Sequence, residues 1–146
     1  MTTTKVAAAV LSGALLATAA PGLAASSSTV ATRQTKLGRI LVDAHGRTLY
    51  LFEKDRHGKS SCASACAKEW PPVLSKSKPT AGKAASAKLL GTTRRSDGTT
   101  QVTYKGHPLY RFSGDMKPGQ TGGEGLRAFG AEWYVLSARG TKVDKS

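Results

Sequence analysis

The chain has 146 residues and a formal net charge of +13, from 22 lysines and arginines against 9 acids. That length excludes anything larger than one domain, or two small halves sharing a core. The charge makes anionic polymers the expected partners (wall polyanions, acidic polysaccharide, lipid headgroups, free nucleic acid) and says nothing about fold.

Residues 1–25 read as a secretory signal peptide. Lys5 supplies the positive start, residues 6–20 are small and apolar, Pro21-Gly22 breaks the run, and Leu23-Ala24-Ala25 is a small-residue cleavage zone. The run falls short of the about 20 apolar residues that a spanning helix needs, so no transmembrane helix is expected in the mature chain. No Arg-Arg pair stands in this segment and no cysteine lies near the cleavage zone. The sequence therefore predicts general export without a lipid on a new N-terminal cysteine.

Residues 26–36 are rich in Ser, Thr, Ala and Gln without an apolar period, a flexible lead-in. Residues 37–74 form a first repeat. Its start predicts a β-hairpin, with Ile40-Leu41-Val42 on one strand, a two-residue turn at His45-Gly46, and residues 48–52 on the other. Val42 then faces Leu49, and Leu41 faces Tyr50. Alternation puts Leu49 and Leu51 on one face and Tyr50 and Phe52 on the other, and both faces are apolar. Asp55 begins a turn. Ser60 or Ser61 caps a short helix through Glu69, which sets Cys62, Cys66 and Trp70 on one face. Pro71-Pro72 stops it.

Residues 75–88 hold four lysines, no acid and no large apolar residue, which reads as a basic linker. A weak Ala-rich helix over residues 81–90 is the rival. Residues 89–136 form the second repeat. Asp97-Gly98 signals a turn, strands at 101–104 and 109–112 join at Lys105-Gly106, residues 118–125 are a glycine-rich loop, and residues 129–136 are a final strand. Residues 137–146 read as a polar, frayed tail.

The two repeats share a motif at an offset of 60. Gly46, Leu49, Tyr50, Phe52 and Asp55 recur as Gly106, Leu109, Tyr110, Phe112 and Asp115, the pattern Gly-x-x-Leu-Tyr-x-Phe-x-x-Asp. Gly38 with Gly98 and Val42 with Val102 extend it. A repeat at fixed offset is architectural information first. Strand parity points the tyrosine and aspartate of one copy to opposite faces unless the chain turns between them. The aromatics accordingly read as core and the aspartates as turn formers.

Cys62 and Cys66 admit three readings: a local disulfide, a redox or metal pair, or two buried thiols beside Trp70. The exported compartment favours the disulfide. A soft-metal site needs His57, Cys62, Cys66 and Met116 to converge, and the sequence gives no further sign of one. No catalytic motif is present: no His-Glu-x-x-His, no Gly-x-Ser-x-Gly and no phosphate-binding Gly-Lys-Ser/Thr. No cofactor is expected. Lysines and aromatics do not interleave as in single-strand nucleic-acid binders, so no specific nucleic-acid partner is expected.

Two tandem Tyr-x-Phe-x-x-Asp copies, with Cys62-x-x-x-Cys66-Ala67, Trp70-Pro71-Pro72 and the Phe129-Gly130…Trp133-Tyr134 ending, resemble the bacterial secreted-repeat family. Its members carry a Tyr-x-Phe/Trp/Tyr-x-x-Asp motif, and many are described as lipoproteins. The resemblance covers residues 37–136. It implies export and a repeat domain, and brings no catalytic residues because the family's function is undefined. This chain departs from it in lacking a lipid-attachment cysteine.

The expected fold is mainly β: two tandem antiparallel hairpin-based repeats packed as one small domain, with one short helix. The expected function is a secreted, non-enzymatic binding or cell-envelope-associated module. The alternative is an extracytoplasmic redox or metal-binding protein using Cys62 and Cys66. If chemistry exists, the segments that differ between the copies, residues 60–70 and 119–129, are where to look.

Overall fold

A computed structural model of the chain describes residues 29–145, together with 2, 3 and 13. The signal-peptide reading of residues 1–25 lies outside the described residues, apart from those three. Among the described residues the fold is mainly β, with three small antiparallel sheets and one short α-helix.

The chain enters through a hairpin of β1 (Ala31–Thr35) and β2 (Gly38–Val42). The flexible lead-in expected over residues 26–36 is therefore corrected at residues 31–35. A strand wet on most of its side chains shows no apolar run. Its order comes from the ladder to β2 and from Val30, which is fully buried and pairs with Ala81.

β3 (Tyr50–Phe52) follows a turn that is wider than expected. Asp43 accepts the His45 and Arg47 N–H groups at 2.8 and 2.9 Å, and Val42 pairs with Thr48. The expected pairing of Val42 with Leu49 is thus slipped by one residue. The aspartate side chain, by holding two backbone donors, overrides the two-residue turn.

Helix α1 (Ala65–Glu69) is shorter than the sequence suggests, and Ser64, not Ser60 or Ser61, is its N-cap. Ser61 is drawn elsewhere: its N–H and hydroxyl both donate to Asp55 at 2.8 Å. Cys62 precedes the helix and Trp70 is its C-cap. The basic segment that follows holds only one 3-10 turn, Ala87–Leu89, in place of a helix.

The second repeat contains β4 (Leu90–Arg94), β5 (Thr100–Tyr104), β6 (His107–Pro108), β7 (Arg127–Ala128) and β8 (Ala131–Val135). Lys105 and Gly106, at φ 49° and 81°, make the two-residue β5–β6 turn, where both central residues need positive φ. Phe129 and Gly130 turn the chain between β7 and β8, so they leave the expected final strand. The expected frayed tail is also corrected. Val143 donates its N–H to Val135 at 3.0 Å and packs on the core, and Lys142 pairs with Glu53 at 3.0 Å.

The repeats are interlocked. β3 of the first pairs with β8 of the second: Tyr50 with Val135, Leu51 with Tyr134, Phe52 with Trp133. The equivalent segment of the second repeat returns the pairing. Val73 and Arg111 N–H reach Leu109 and Pro71 carbonyls at 2.9 and 2.8 Å, and Ser113 N–H reaches Glu69 at 2.9 Å. The exchange continues into the hairpins, where Leu41 bonds Leu136 at 2.9 Å and Val102 bonds Val73 at 2.8 Å. Tyr50 and Tyr110 exchange both backbone hydrogen bonds, at 2.8 and 3.0 Å. This pair marks the local twofold of the molecule.

Parity sorts the core as the alternation of Leu49-Tyr50-Leu51-Phe52 requires. Leu49, Leu51, Leu109, Val73, Val102 and Leu136 pack in one buried cluster. Tyr50, Phe52, Tyr110, Trp70, Trp133 and the cysteines pack in the other.

Candidate functional site

The motif residues converge at the local twofold, but between repeats. The Tyr50 hydroxyl donates to Asp115 Oδ2 at 2.5 Å, and the Tyr110 hydroxyl to Asp55 Oδ2 at 2.7 Å. Each aspartate is placed by a turn just after its phenylalanine: Asp55 N–H bonds Phe52 at 3.0 Å, and Asp115 N–H bonds Phe112 at 3.1 Å. The turn releases Asp55 and Asp115 from strand parity, and the strand exchange hands each to the other repeat's tyrosine.

The remaining carboxylate oxygens are also held. Asp55 Oδ1 accepts Ser61, and Asp115 Oδ1 accepts the Gly122 N–H at 2.8 Å. Burial, reinforced by the neighbouring carboxylate, pushes both phenols well above the ordinary tyrosine value. Each therefore stays a protonated donor at neutral pH. Burial also raises Asp55 and Asp115 above the usual carboxylate range, against the pull of their hydrogen bonds. Such pairs fix geometry. Both tyrosines are fully buried, and neither surface groove described below is lined by any of the four residues.

Four rings stack across the same twofold in the order Phe52, Trp133, Trp70, Phe112. Their centroids are 4.0, 3.9 and 4.4 Å apart. The order alternates between repeats. Tyr50 meets Trp70 edge-on at 5.4 Å, and Tyr110 meets Trp133 edge-on at 5.1 Å. Gly123 lies against this column: a Cβ there would come within 2.8 Å of Trp70 and 2.9 Å of Tyr50. Of the other motif residues, Leu49 and Leu109 are buried and Phe112 is half-buried. Gly46, at φ 79°, sits under Arg33 and Pro118, and Gly106 serves the β5–β6 turn.

Cys62 and Cys66 are joined in a disulfide with Cα atoms 5.3 Å apart, and both are buried beside Trp70. That leaves no thiolate for a metal. His57 is exposed, and Met116 stands 78 % exposed. Among the described residues no group of three His, Cys, Asp or Glu side chains is placed to hold a metal ion.

Sequence reasoning missed two arginines that flank the centre, Arg95 buried and Arg47 half-buried. Arg95 donates to Ser60, Gln101 and the Cys62 carbonyl at 2.9, 2.8 and 2.7 Å. Arg47 donates to the Asp115 carbonyl. It also missed the ion pair of Arg111 with Asp43 at 2.6 Å. A signal existed there, since Arg111 replaces Leu51 in an otherwise apolar strand.

The surface is cationic because 22 basic residues stand against 9 acids, and most of those acids have partners within the chain. Asp43 and Glu53 pair with cations, Asp55 and Asp115 with phenols, and Glu132 with Arg127. Glu124 accepts the Val135 N–H at 2.7 Å, and Asp97 accepts Thr99 at 2.9 and 2.6 Å. Lys76, Lys78, Lys83 and Lys88 are all exposed. Two grooves carry such charge. One, of about 920 Å³, runs between the first half of the basic segment and β4, with Lys76 and Lys78 on its wall. The other, of about 440 Å³, has Arg33, Lys36 and Lys117 around the glycine-rich loop. Among the described residues no helix is long and apolar enough to cross a membrane.

A family model described as a secreted repeat of unknown function matches the chain twice, over residues 31–74 and 91–137. No curated protein and no solved structure matches it. The two matched segments are the two interlocked halves, together more than half of the chain. The chain belongs to this family of secreted repeats, and it carries two copies of the repeat.

Proposed function

We propose that this is a secreted, non-enzymatic module that associates with anionic polymers of the cell envelope through its positive surface. The observation that carries the reading is the distribution of charge. Nearly all the acids are occupied by internal partners, while the four lysines of residues 75–88 face solvent on one segment. With 22 basic residues against 9 acids, the outward field is positive. The motif residues are occupied in packing and in closed hydrogen bonds, which supports a scaffold role for them in preference to a reactive one.

The test is retention of the folded protein on purified wall polyanions at low and at high salt. Retention at low salt that disappears at high salt is expected, because exposed charges are screened over about 10 Å at 0.1 M ionic strength. Absence of retention at low salt removes the reading.

A further inference from the structure

We propose that the groove of about 440 Å³ beside the glycine-rich loop binds the phosphodiester groups of an envelope polymer, with Arg33 as its anchor. This site rests on the reading that the protein associates with envelope polyanions, and it names the group that is recognised.

The groove lies between the end of the β1–β2 hairpin and residues 117–121. Arg33 pairs with the fully buried Ile40, so its side chain leaves β1 on the inward face. The residue is nevertheless exposed, because the side chain passes the edge of the core and reaches the loop. There its guanidinium lies over the backbone of two glycines. A Cβ at Gly119 would stand 3.0 Å from Arg33 Nε and 3.3 Å from its Cζ, and one at Gly46 would stand 3.2 Å from its Nη1. Any side chain at either position would displace the guanidinium. Other arginines use their nitrogens within the chain: Arg111 and Arg127 pair with acids, and Arg47 and Arg95 donate to oxygens. Among the described residues the Arg33 guanidinium has this packing and no oxygen acceptor. It is held in place with its donors unused, and a donor already held loses little freedom on binding.

Both walls are fixed by internal hydrogen bonds. On the loop, Gln120 Oε1 accepts the Met116 and Lys117 N–H groups at 2.6 and 2.9 Å. The Thr48 hydroxyl donates to the Gln120 carbonyl at 2.6 Å, and the Gly119 N–H reaches the Gly46 carbonyl at 3.1 Å. On the hairpin, the Thr35 hydroxyl donates to the Gly38 carbonyl at 2.9 Å and accepts the Leu37 N–H at 3.1 Å, which fixes the turn that carries Lys36. Lys36 and Lys117 therefore come to the groove from opposite walls, and no acid lines it. A guanidinium presents its N–H groups in a rigid fork that matches phosphate oxygens, and the two ammonium groups add point charges. Three cations around one cleft suit a tetrahedral phosphate with acceptors on several sides, whereas a planar carboxylate is satisfied by one fork. Gln120, whose Nε2 remains to donate, and Thr121 offer polar contacts for the hydroxyls beside each phosphate. The volume lies within the range of ligand clefts, about 300–1,000 Å³.

The probe is glycerophosphoglycerol, a single phosphodiester, titrated into the folded secreted protein and followed by amide chemical shifts. Saturable shifts are expected at residues 33–36 and 117–121. Arg33→Lys keeps the net charge but loses the fork, and it should weaken binding about tenfold. Lys117→Gln, on the exposed loop, provides a second variant and should weaken binding about threefold. Lys76→Gln with Lys78→Gln removes two charges outside this groove and should leave the titration unchanged. Indifference to both Arg33→Lys and Lys117→Gln, or equal weakening by the Lys76 and Lys78 changes, overturns a built site; retention on wall polyanions at low salt then still supports diffuse association. Localised, saturable binding by a protein that no wall polymer retains overturns the polymer as the source of the group. Glucuronate binding at the same residues at least as tightly assigns the groove to carboxylates and overturns the proposal. Co-sedimentation with phosphatidylglycerol vesicles that Arg33→Lys abolishes, without binding of a poly(glycerol phosphate) oligomer, assigns it to lipid headgroups and overturns the proposal as well.

Discussion

At the scale of single residues, the two Tyr–Asp pairs decide whether the motif holds the fold together. A buried phenol–carboxylate hydrogen bond is charge-assisted, and removing its donor leaves a buried carboxylate short of a partner. Tyr50→Phe is expected to lower stability by about 2 kcal/mol at neutral pH in urea unfolding. The pH dependence has a definite sign. Asp115 has a folded value raised above its ordinary one, so the folded state binds this proton more tightly than the unfolded state. Its ionisation costs stability as pH rises from the ordinary carboxylate value through the folded one. Losing the Tyr50 donor raises that folded value further. The destabilisation by Tyr50→Phe should therefore shrink as pH falls toward the ordinary carboxylate value, because Asp115, raised above that value in both proteins, is taking up its proton. A constant difference from pH 7 to pH 4 shows that the hydrogen bond does not depend on the Asp115 charge. Asp43 runs the other way. Burial raises it, but the bonds from Arg111, Arg47 and His45 outweigh burial and hold it below the ordinary value. Its contribution is present above the ordinary carboxylate value and fades as pH falls below it.

At the scale of elements, the disulfide and its helix are the part of the first repeat without a counterpart. In the second repeat the glycine-rich loop does the same spatial work, bringing Gly122 to Asp115 as Ser61 is brought to Asp55. The disulfide closes so short a loop that chain entropy gives about 2 kcal/mol. Replacing Cys62 and Cys66 by serine should lower unfolding stability by about that amount and leave the rest of the fold in place. Heteronuclear amide spectra check it: shifts should concentrate around residues 60–70 and Arg95, whose guanidinium bonds the Cys62 carbonyl. Global loss of dispersion would mean that the disulfide holds more than its own loop.

At the scale of the molecule, the interlocked pairing makes the repeats interdependent. β3 has its partner strand in the second repeat, and residues 109–113 have theirs in the first. The ring column alternates between repeats, so either half alone exposes Trp70 or Trp133 without a stacking neighbour. A chain of residues 26–88, produced alone, is expected to be unfolded by circular dichroism. Mixed with residues 89–146 it should regain β signal and tryptophan burial, since the interface between the halves is the core itself. Independent cooperative unfolding of either half refutes the interlocked account. The surplus of 22 basic residues over 9 acids, with the lysines of residues 75–88 exposed, is what the polymer-retention experiment reads.

The sequence by itself determined the duplication, its offset, the alternation of the motif strands and the β class. Identity at a fixed spacing and apolar parity are local properties that survive without coordinates. It also located the turns at Asp97-Gly98 and Lys105-Gly106, where glycine supplies positive φ. Tertiary structure decided the rest. Residues 31–35 carry no apolar signal, because an edge strand is ordered by its ladder. The one-residue slip at Val42 came from a side chain bonding the backbone. Most of all, the partner of each tyrosine was decided only by which strands cross. Spacing along one copy separates Tyr50 from Asp55, and only the exchange of strands between the halves delivers Asp115 to it.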